Sequence, residues 1–148
     1  MSGITVGVDE SANARAALDW AMREAATRHA ALTVLTVHEV PASLWTGRPV
    51  PVAADDRLLE TAREAVTELA EKAASQLGDS RPASVTVRAV NGFAAAELVN
   101  SSREADLLVV GARGGAQPGG LASHTPIGSV SNKVLHQAQC PVVVVPGH

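Results

Sequence analysis

Disulfide bonds, a basic excess and a long apolar segment are all missing from this sequence. Its 148 residues include one cysteine, Cys140, so no intramolecular disulfide can form, and such usage is typical of the reducing cytoplasm. The formal net charge of −3 lacks the basic excess of a broad nucleic-acid-binding surface. Aliphatic runs such as Val142–Val145 are far too short to cross a bilayer. We therefore expect a cytoplasmic protein that binds neither nucleic acid nor membranes.

Aromatic residues are scarce as well, with two tryptophans, one phenylalanine and no tyrosine. Because 46% of the residues are nevertheless hydrophobic, the core must consist mainly of Ala, Val and Leu, as packed helices and parallel strands often do. The length is that of a single domain, which we place at residues 1–148 and expect to bury a substantial core.

Strand-like and helix-like segments alternate along the chain. The apolar and β-branched runs predict strands at 4–8, 32–37, 85–90, 105–110 and 142–145. Helical periodicity predicts helices at about 11–29, 55–77, 93–103 and 126–137. This β-α-β-α-β-α-β-α-β order predicts an α/β protein, a three-layer doubly wound fold with a five-stranded parallel sheet.

A glycine-rich segment separates the fourth strand from the last helix. Between Gly111 and Ser129 it contains six glycines and two prolines, which no regular element would accommodate. We expect the helix to begin at Pro126 with Thr125 as its N-cap, so that the amides of residues 127–129 point outward. A strand, a glycine loop and a helix N-terminus together can hold a phosphate group. A flexible surface loop before a well-capped helix is the alternative interpretation.

The ends of two predicted strands indicate where a ligand would bind. Asp9 ends the first strand and Gly111 ends the fourth, so both lie on the carboxyl edge of the sheet, where doubly wound folds bind ligands. Gly128 has no Cβ to block a ligand, and the Ser129 hydroxyl adds a donor. Asp9 would either coordinate Mg²⁺ beside phosphates or hydrogen-bond its own turn. Both roles remain open.

Three motifs resemble those of the universal stress protein family. They are Val6–Ser11 at the start, Leu107–Gly114 followed by Gly128–Ser131, and Cys140–Val145 at the end. The resemblance covers essentially the whole chain in the same element order. It implies the adenine nucleotide alpha hydrolase-like form of the predicted fold and a role in the stress response.

Many members of that family bind ATP through the pattern G-x2-G-x9-G-[ST]. The resemblance implies that ATP, with or without Mg²⁺, is the ligand here too. Its expected contacts are Asp9 near the ribose or a phosphate-bound metal, Val37 at the adenine through its backbone, Gly111 and Gly114 beside ribose and phosphates, and Gly128, Ser129 and Val130 at the phosphates.

The spacing of this chain departs from the family pattern. Thirteen residues separate Gly114 from Gly128 where the pattern has nine, so residues 115–127 either bulge outward or block the pocket. No serine or cysteine has a recognisable catalytic partner, and we expect a regulatory protein, not an enzyme. The alternative is a family member without nucleotide that acts as an interaction module. In similar proteins the last strand, here Val142–Val145, pairs with its mate in a homodimer.

Overall fold

The structure is a computed structural model that describes residues 3–9, 12–39, 56–112 and 127–147. Within these residues five strands and four helices alternate in the order expected from the sequence. The strands are β1 (Ile4–Gly7), β2 (Ala31–Glu39), β3 (Ser84–Gly92), β4 (Leu107–Gly111) and β5 (Val142–Val145). The helices are α1 (Ala12–Arg28), α2 (Asp56–Ser75), α3 (Ala94–Ser102) and α4 (Ser129–Gln137).

All five strands run parallel in one sheet, in the order β3-β2-β1-β4-β5. The chain builds outward from β1 in one direction through β2 and β3, then returns to the other side of β1 for β4 and β5. The order therefore reverses between β1 and β4, which opens a crevice at their carboxyl ends. The expected α/β fold with a five-stranded parallel sheet is confirmed.

Helices cover both faces of the sheet because successive side chains of a strand point in opposite directions. Val109 of β4 belongs to the apolar cluster under α1 and α2, whereas its neighbour Val110 belongs to the cluster under α3 and α4. Both side chains are buried. A strand that is buried on both faces needs a continuous apolar sequence, which is why β4 reads Leu-Leu-Val-Val.

The start of α4 differs from the sequence prediction. The helix begins at Ser129 with Gly128 as its N-cap, so the expected start at Pro126 is wrong. Gly128 has an extended backbone, with φ −70° and ψ 167°, because its amide donates to the carbonyl of Ala112 at 2.6 Å outside the helix. Thr125, the expected N-cap, lies outside the described residues.

Gly7 is needed for the close approach of β1 and α3. A Cβ at this position would lie 2.8 Å from Cδ2 of the buried Leu98 side chain. We expect Gly7→Ala to lower the free energy of unfolding by about 1–3 kcal/mol, since overpacking displaces Leu98. Urea denaturation of Gly7→Ala, Leu98→Ala and the double variant measures the coupling. The double variant should cost less than the sum of the single variants, and simple additivity would contradict the contact.

Candidate functional site

The carboxyl ends of β1, β2 and β4 bring three of the predicted site residues to one level. Continued past the paired residues, the register of β1 and β2 sets Asp9 level with Val37, and that of β1 and β4 sets Val8 level with Gly111. Neighbouring strands lie about 4.8 Å apart. Asp9 is exposed at this edge. The expected convergence of Asp9 and Gly111 therefore follows from the strand order.

Two hydrogen bonds attach the start of α4 to the end of β4. The amide of Gly128 donates to the Ala112 carbonyl at 2.6 Å, and the Ser131 hydroxyl donates to the Gly111 carbonyl at 2.5 Å. The Ala112 amide in turn donates to the Val145 carbonyl of β5 at 2.8 Å. Both ends of the long glycine-rich connection therefore meet at one place, whatever its length.

The first turn of α4 presents backbone donors to this edge. The first intrahelical bond runs from the Asn132 amide to the Gly128 carbonyl at 2.9 Å, and among the described residues no side chain caps the helix. The amides of residues 129–131 precede that bond and are the groups that a helix N-terminus leaves unpaired. Among the described residues none accepts from them. Ser129 and Val130, two of the predicted phosphate contacts, thus lie in this turn, whereas the Gly128 amide is bound to Ala112 and the Ser131 amide is a further unpaired donor of the turn.

The other helix on this face has its positive end neutralised. The Ala94 amide at the start of α3 donates to the Glu39 carboxylate at 3.2 Å, and Glu97 lies in the first turn. The first turn of α4 contains no acidic residue. Carboxylates stabilise a helix N-terminus by about 0.3–1 kcal/mol each. Of these two helices, α4 is therefore the one that leaves its positive end available to an anion.

Val37 has backbone groups that face the crevice. The Val8 amide donates to the Leu35 carbonyl at 2.9 Å, so Leu35 directs its backbone toward β1. Residues two apart in a strand point the same way, so the amide and carbonyl of Val37 face the space beyond the end of β1. The half-buried Val37 side chain packs in the cluster under α3 and α4. Within the described part of the chain, β1 ends before these two groups and pairs with neither of them.

Metal and thiol chemistry have little support in the described part of the chain. No group of three His, Cys, Asp or Glu side chains gathers there to form a metal site. A metal at Asp9 would therefore depend on one carboxylate and on oxygens of the ligand. Burial, together with the nearby Asp106 carboxylate, raises the pKa of Cys140, so the thiol stays protonated at neutral pH.

The sequence prediction missed two side chains of this edge, and one predicted residue is not described. Glu39 accepts a bond from Ala94, 55 residues away in the sequence, and Ser131 donates to Gly111, 20 residues away. Both contacts therefore depend on the tertiary fold. The only sequence signal was the position of Ser131 within the motif Gly128–Ser131. Gly114, the second predicted glycine, lies outside the described residues, as does most of the connection 115–127.

The family model of the universal stress protein family matches residues 1–146. The chain belongs to this family. It is 34% identical over 145 residues to a universal stress protein of Mycolicibacterium smegmatis, a match that covers 98% of this chain and 48% of that protein. The chain thus spans about half the length of the curated relatives it matches. None of its described helices combines the length and apolar character needed to span a membrane.

Solved structures share the fold. The universal stress protein UspA from Lactobacillus plantarum has a TM-score of 0.73 at 24% identity and covers 97% of each chain. A universal stress protein in complex with cAMP has a TM-score of 0.65 at 23% identity, over 98% of this chain and 96% of that chain. The Archaeoglobus fulgidus protein in complex with dAMP has a TM-score of 0.58 at 23% identity and covers 98% of each chain.

The attachment of Gly128 to Ala112 makes the length of the connection unimportant for the fold. Deletion of residues 117–120 restores the nine-residue spacing, and we expect it to change the free energy of unfolding by less than about 1 kcal/mol, because loop closure depends weakly on length. Urea denaturation measures the change. Gly128→Pro, which removes the amide donor, is the comparison and should cost about 1 kcal/mol. A larger loss from the deletion than from Gly128→Pro would contradict the attachment.

Proposed function

We propose that this universal stress protein binds an adenine nucleotide, with ATP as the ligand, in a regulatory role in the cytoplasm. The observation that carries the proposal is the uncapped N-terminus of α4, held beside β4 at the point where the strand order reverses. The complexes of other family members with cAMP and dAMP support an adenine nucleotide. The second and third phosphates of ATP are the step that we add, since residues 129–131 supply several donors.

Each part of the nucleotide has a place at this edge. The amides of residues 129–131 and the exposed Ser129 hydroxyl bind phosphate oxygens, which the positive end of α4 also attracts. The backbone of Val37 recognises the adenine edge. Asp9 lies between them, two residues after the end of β1, where its carboxylate binds the ribose or a phosphate-bound Mg²⁺. Gly111 borders the ribose and phosphates without a side chain, and Gly114, the second predicted glycine, lies outside the described residues.

A regulatory role agrees with the hydrogen bonds of the described residues. Hydroxyl groups such as those of Ser75, Ser102 and Ser131 donate to backbone carbonyls, and no described hydroxyl or thiol donates to a histidine or carboxylate. Nucleophilic catalysis requires such a pair. We propose that nucleotide binding, not turnover, is the function of the site.

The alternative is that the protein binds no nucleotide and acts as an interaction module. The longer connection between Gly114 and Gly128 is the feature that favours it. Calorimetric titration of ATP, with and without Mg²⁺, into the unmodified protein distinguishes the two functions. Heat of binding is expected, and its absence at millimolar ATP would favour the interaction module.

Gly128→Asp separates ligand binding from stability. An aspartate N-cap places its carboxylate on the α4 amides, as Glu39 does for α3, and should stabilise the helix by a few tenths of a kcal/mol or more. The same carboxylate excludes phosphate and should weaken ATP binding roughly tenfold or more, since each charge-assisted bond is worth about 1.5–3 kcal/mol. Calorimetry and thermal unfolding give the two quantities.

Gly128→Asn is the matched control, because it has nearly the same shape and caps the helix without a charge. It should retain most of the ATP affinity. Equal ATP affinity for the Asp and Asn variants would show that the phosphates lie elsewhere, even if the unmodified protein binds ATP.

We further propose that β5 forms a homodimer across its free edge. The carbonyls of Pro141 and Val145 accept amides of β4, so the alternate residues Val142 and Val144 direct their backbone groups away from the sheet. β5 contains no charged residue, whereas the opposite edge strand β3 carries the exposed Arg88. Charged residues on edge strands oppose pairing, so β5 is the better edge for a second copy.

Val144→Pro tests this dimer because it removes one free-edge amide and leaves the bonds of β4 to Pro141 and Val145 unchanged. We expect the molar mass measured by light scattering to fall from dimer to monomer. Val144→Ala shortens the side chain but keeps the amide, and should remain dimeric. A dimeric Val144→Pro variant would contradict pairing through β5.

A further inference from the structure

The Ser131 hydroxyl is hydrogen-bonded to the end of β4. The side chain is only 3% exposed, and its hydroxyl donates to the Gly111 carbonyl at 2.5 Å, across twenty residues of chain. Ser131 lies in the first turn of α4, three residues after the N-cap Gly128. It therefore contributes a backbone amide to the open end of the helix while its side chain ties that same turn to the sheet.

We propose that Ser131 is a positioning residue for the phosphate-binding amides of α4. The proposal rests on the proposed nucleotide function. The bond from Gly128 to Ala112 fixes one point of the helix start, and the buried Val134 holds the helix further along. The bond of Ser131 fixes the first turn between these two points, and so the direction of its amides.

Two features distinguish the positioning role of Ser131 from a contribution to the packing of α4. The bond joins α4 to Gly111, which borders the crevice, whereas the apolar contacts of α4 through Val134 lie deeper in the cluster with α3 and β5. The hydroxyl also holds the start of α4 by a direct bond to Gly111 of β4, so this attachment does not depend on the connection that follows Ala112. Loss of the hydroxyl should therefore misdirect phosphate donors more than it disturbs the adenine end near Val37.

Ser102 offers a matched control. It is 1% exposed, its hydroxyl donates to the Val99 carbonyl at 2.5 Å, and it accepts the Gln139 amide at 2.9 Å. Like Ser131 it is a buried serine on a helix of the same face. Because it lies just before β4 and close to the start of β5, it belongs to the opposite edge of the sheet. A purely structural effect should be as large at Ser102 as at Ser131.

Ser131→Ala and Ser102→Ala are to be compared by calorimetric titration with ATP and with adenosine, which lacks phosphates. We expect Ser131→Ala to weaken ATP binding roughly tenfold and to leave adenosine affinity unchanged, since misdirected amides affect only the phosphate end. Ser102→Ala should change neither affinity, although both variants should unfold at lower temperature. Ser131→Thr, which keeps the hydroxyl, should restore ATP affinity.

Equal losses of ATP and adenosine affinity in Ser131→Ala would overturn the positioning role, as would unchanged ATP affinity or an equal effect in Ser102→Ala. If Ser131→Ala does not fold, Ser131→Cys takes its place, because a thiol fills the same space and donates weakly. Failure of the unmodified protein to bind ATP would refute the nucleotide function itself. That result is seen before any variant is measured, so the two failures are distinguishable.

Discussion

A parallel sheet that is covered on both faces requires the chain to reverse its direction of growth across the sheet, and here the reversal falls between β1 and β4. The site depends on this constraint. The connections that leave β1 and β4 lead to α1 and α4 on opposite faces, so neither of these two helices lies across the gap between the two carboxyl ends. Asp9 and Gly111 come together there because the topology leaves the gap, with no specific bond between them.

Electrostatics then distinguishes α3 from α4, the two helices that begin at this edge on one face of the sheet. The sheet places the N-termini of both α3 and α4 on the same face, but Glu39 and Glu97 supply α3 with negative charge. The start of α4 has a glycine N-cap and no acidic first turn. With glycine in place of Ser, Thr, Asp or Asn at its N-cap, α4 lacks a few tenths of a kcal/mol of stabilisation. A ligand anion would restore that stabilisation, and binding and stability are therefore linked at α4.

The sequence predicted the alternation of elements, the parallel sheet and the edge of the site, because these depend on apolar periodicity and on strand ends such as Asp9. It placed the start of α4 wrongly at Pro126, because the bond that extends Gly128 comes from Ala112, at the far end of the connection. Glu39 and Ser131 were missed for the same reason. The backbone of Val37 was expected from the resemblance alone. Its physical basis is that β2 continues to Glu39, past Leu35, which pairs with the last residue of β1.

The departure from the family spacing is only a weak argument against a phosphate site in this structure. By the logarithmic dependence of loop closure on length, thirteen residues in place of nine cost about 0.3 kcal/mol. What a phosphate site requires is a fixed relation between the end of β4 and the start of α4, and the bonds of Gly128 and Ser131 fix it at both points. The spacing pattern counts the residues between Gly114 and Gly128, whereas the affinity of such a site depends on the bonds that hold Gly128 and Ser131 to the end of β4. A family member with an altered spacing should therefore be judged by whether it keeps the glycine N-cap and the serine one turn later.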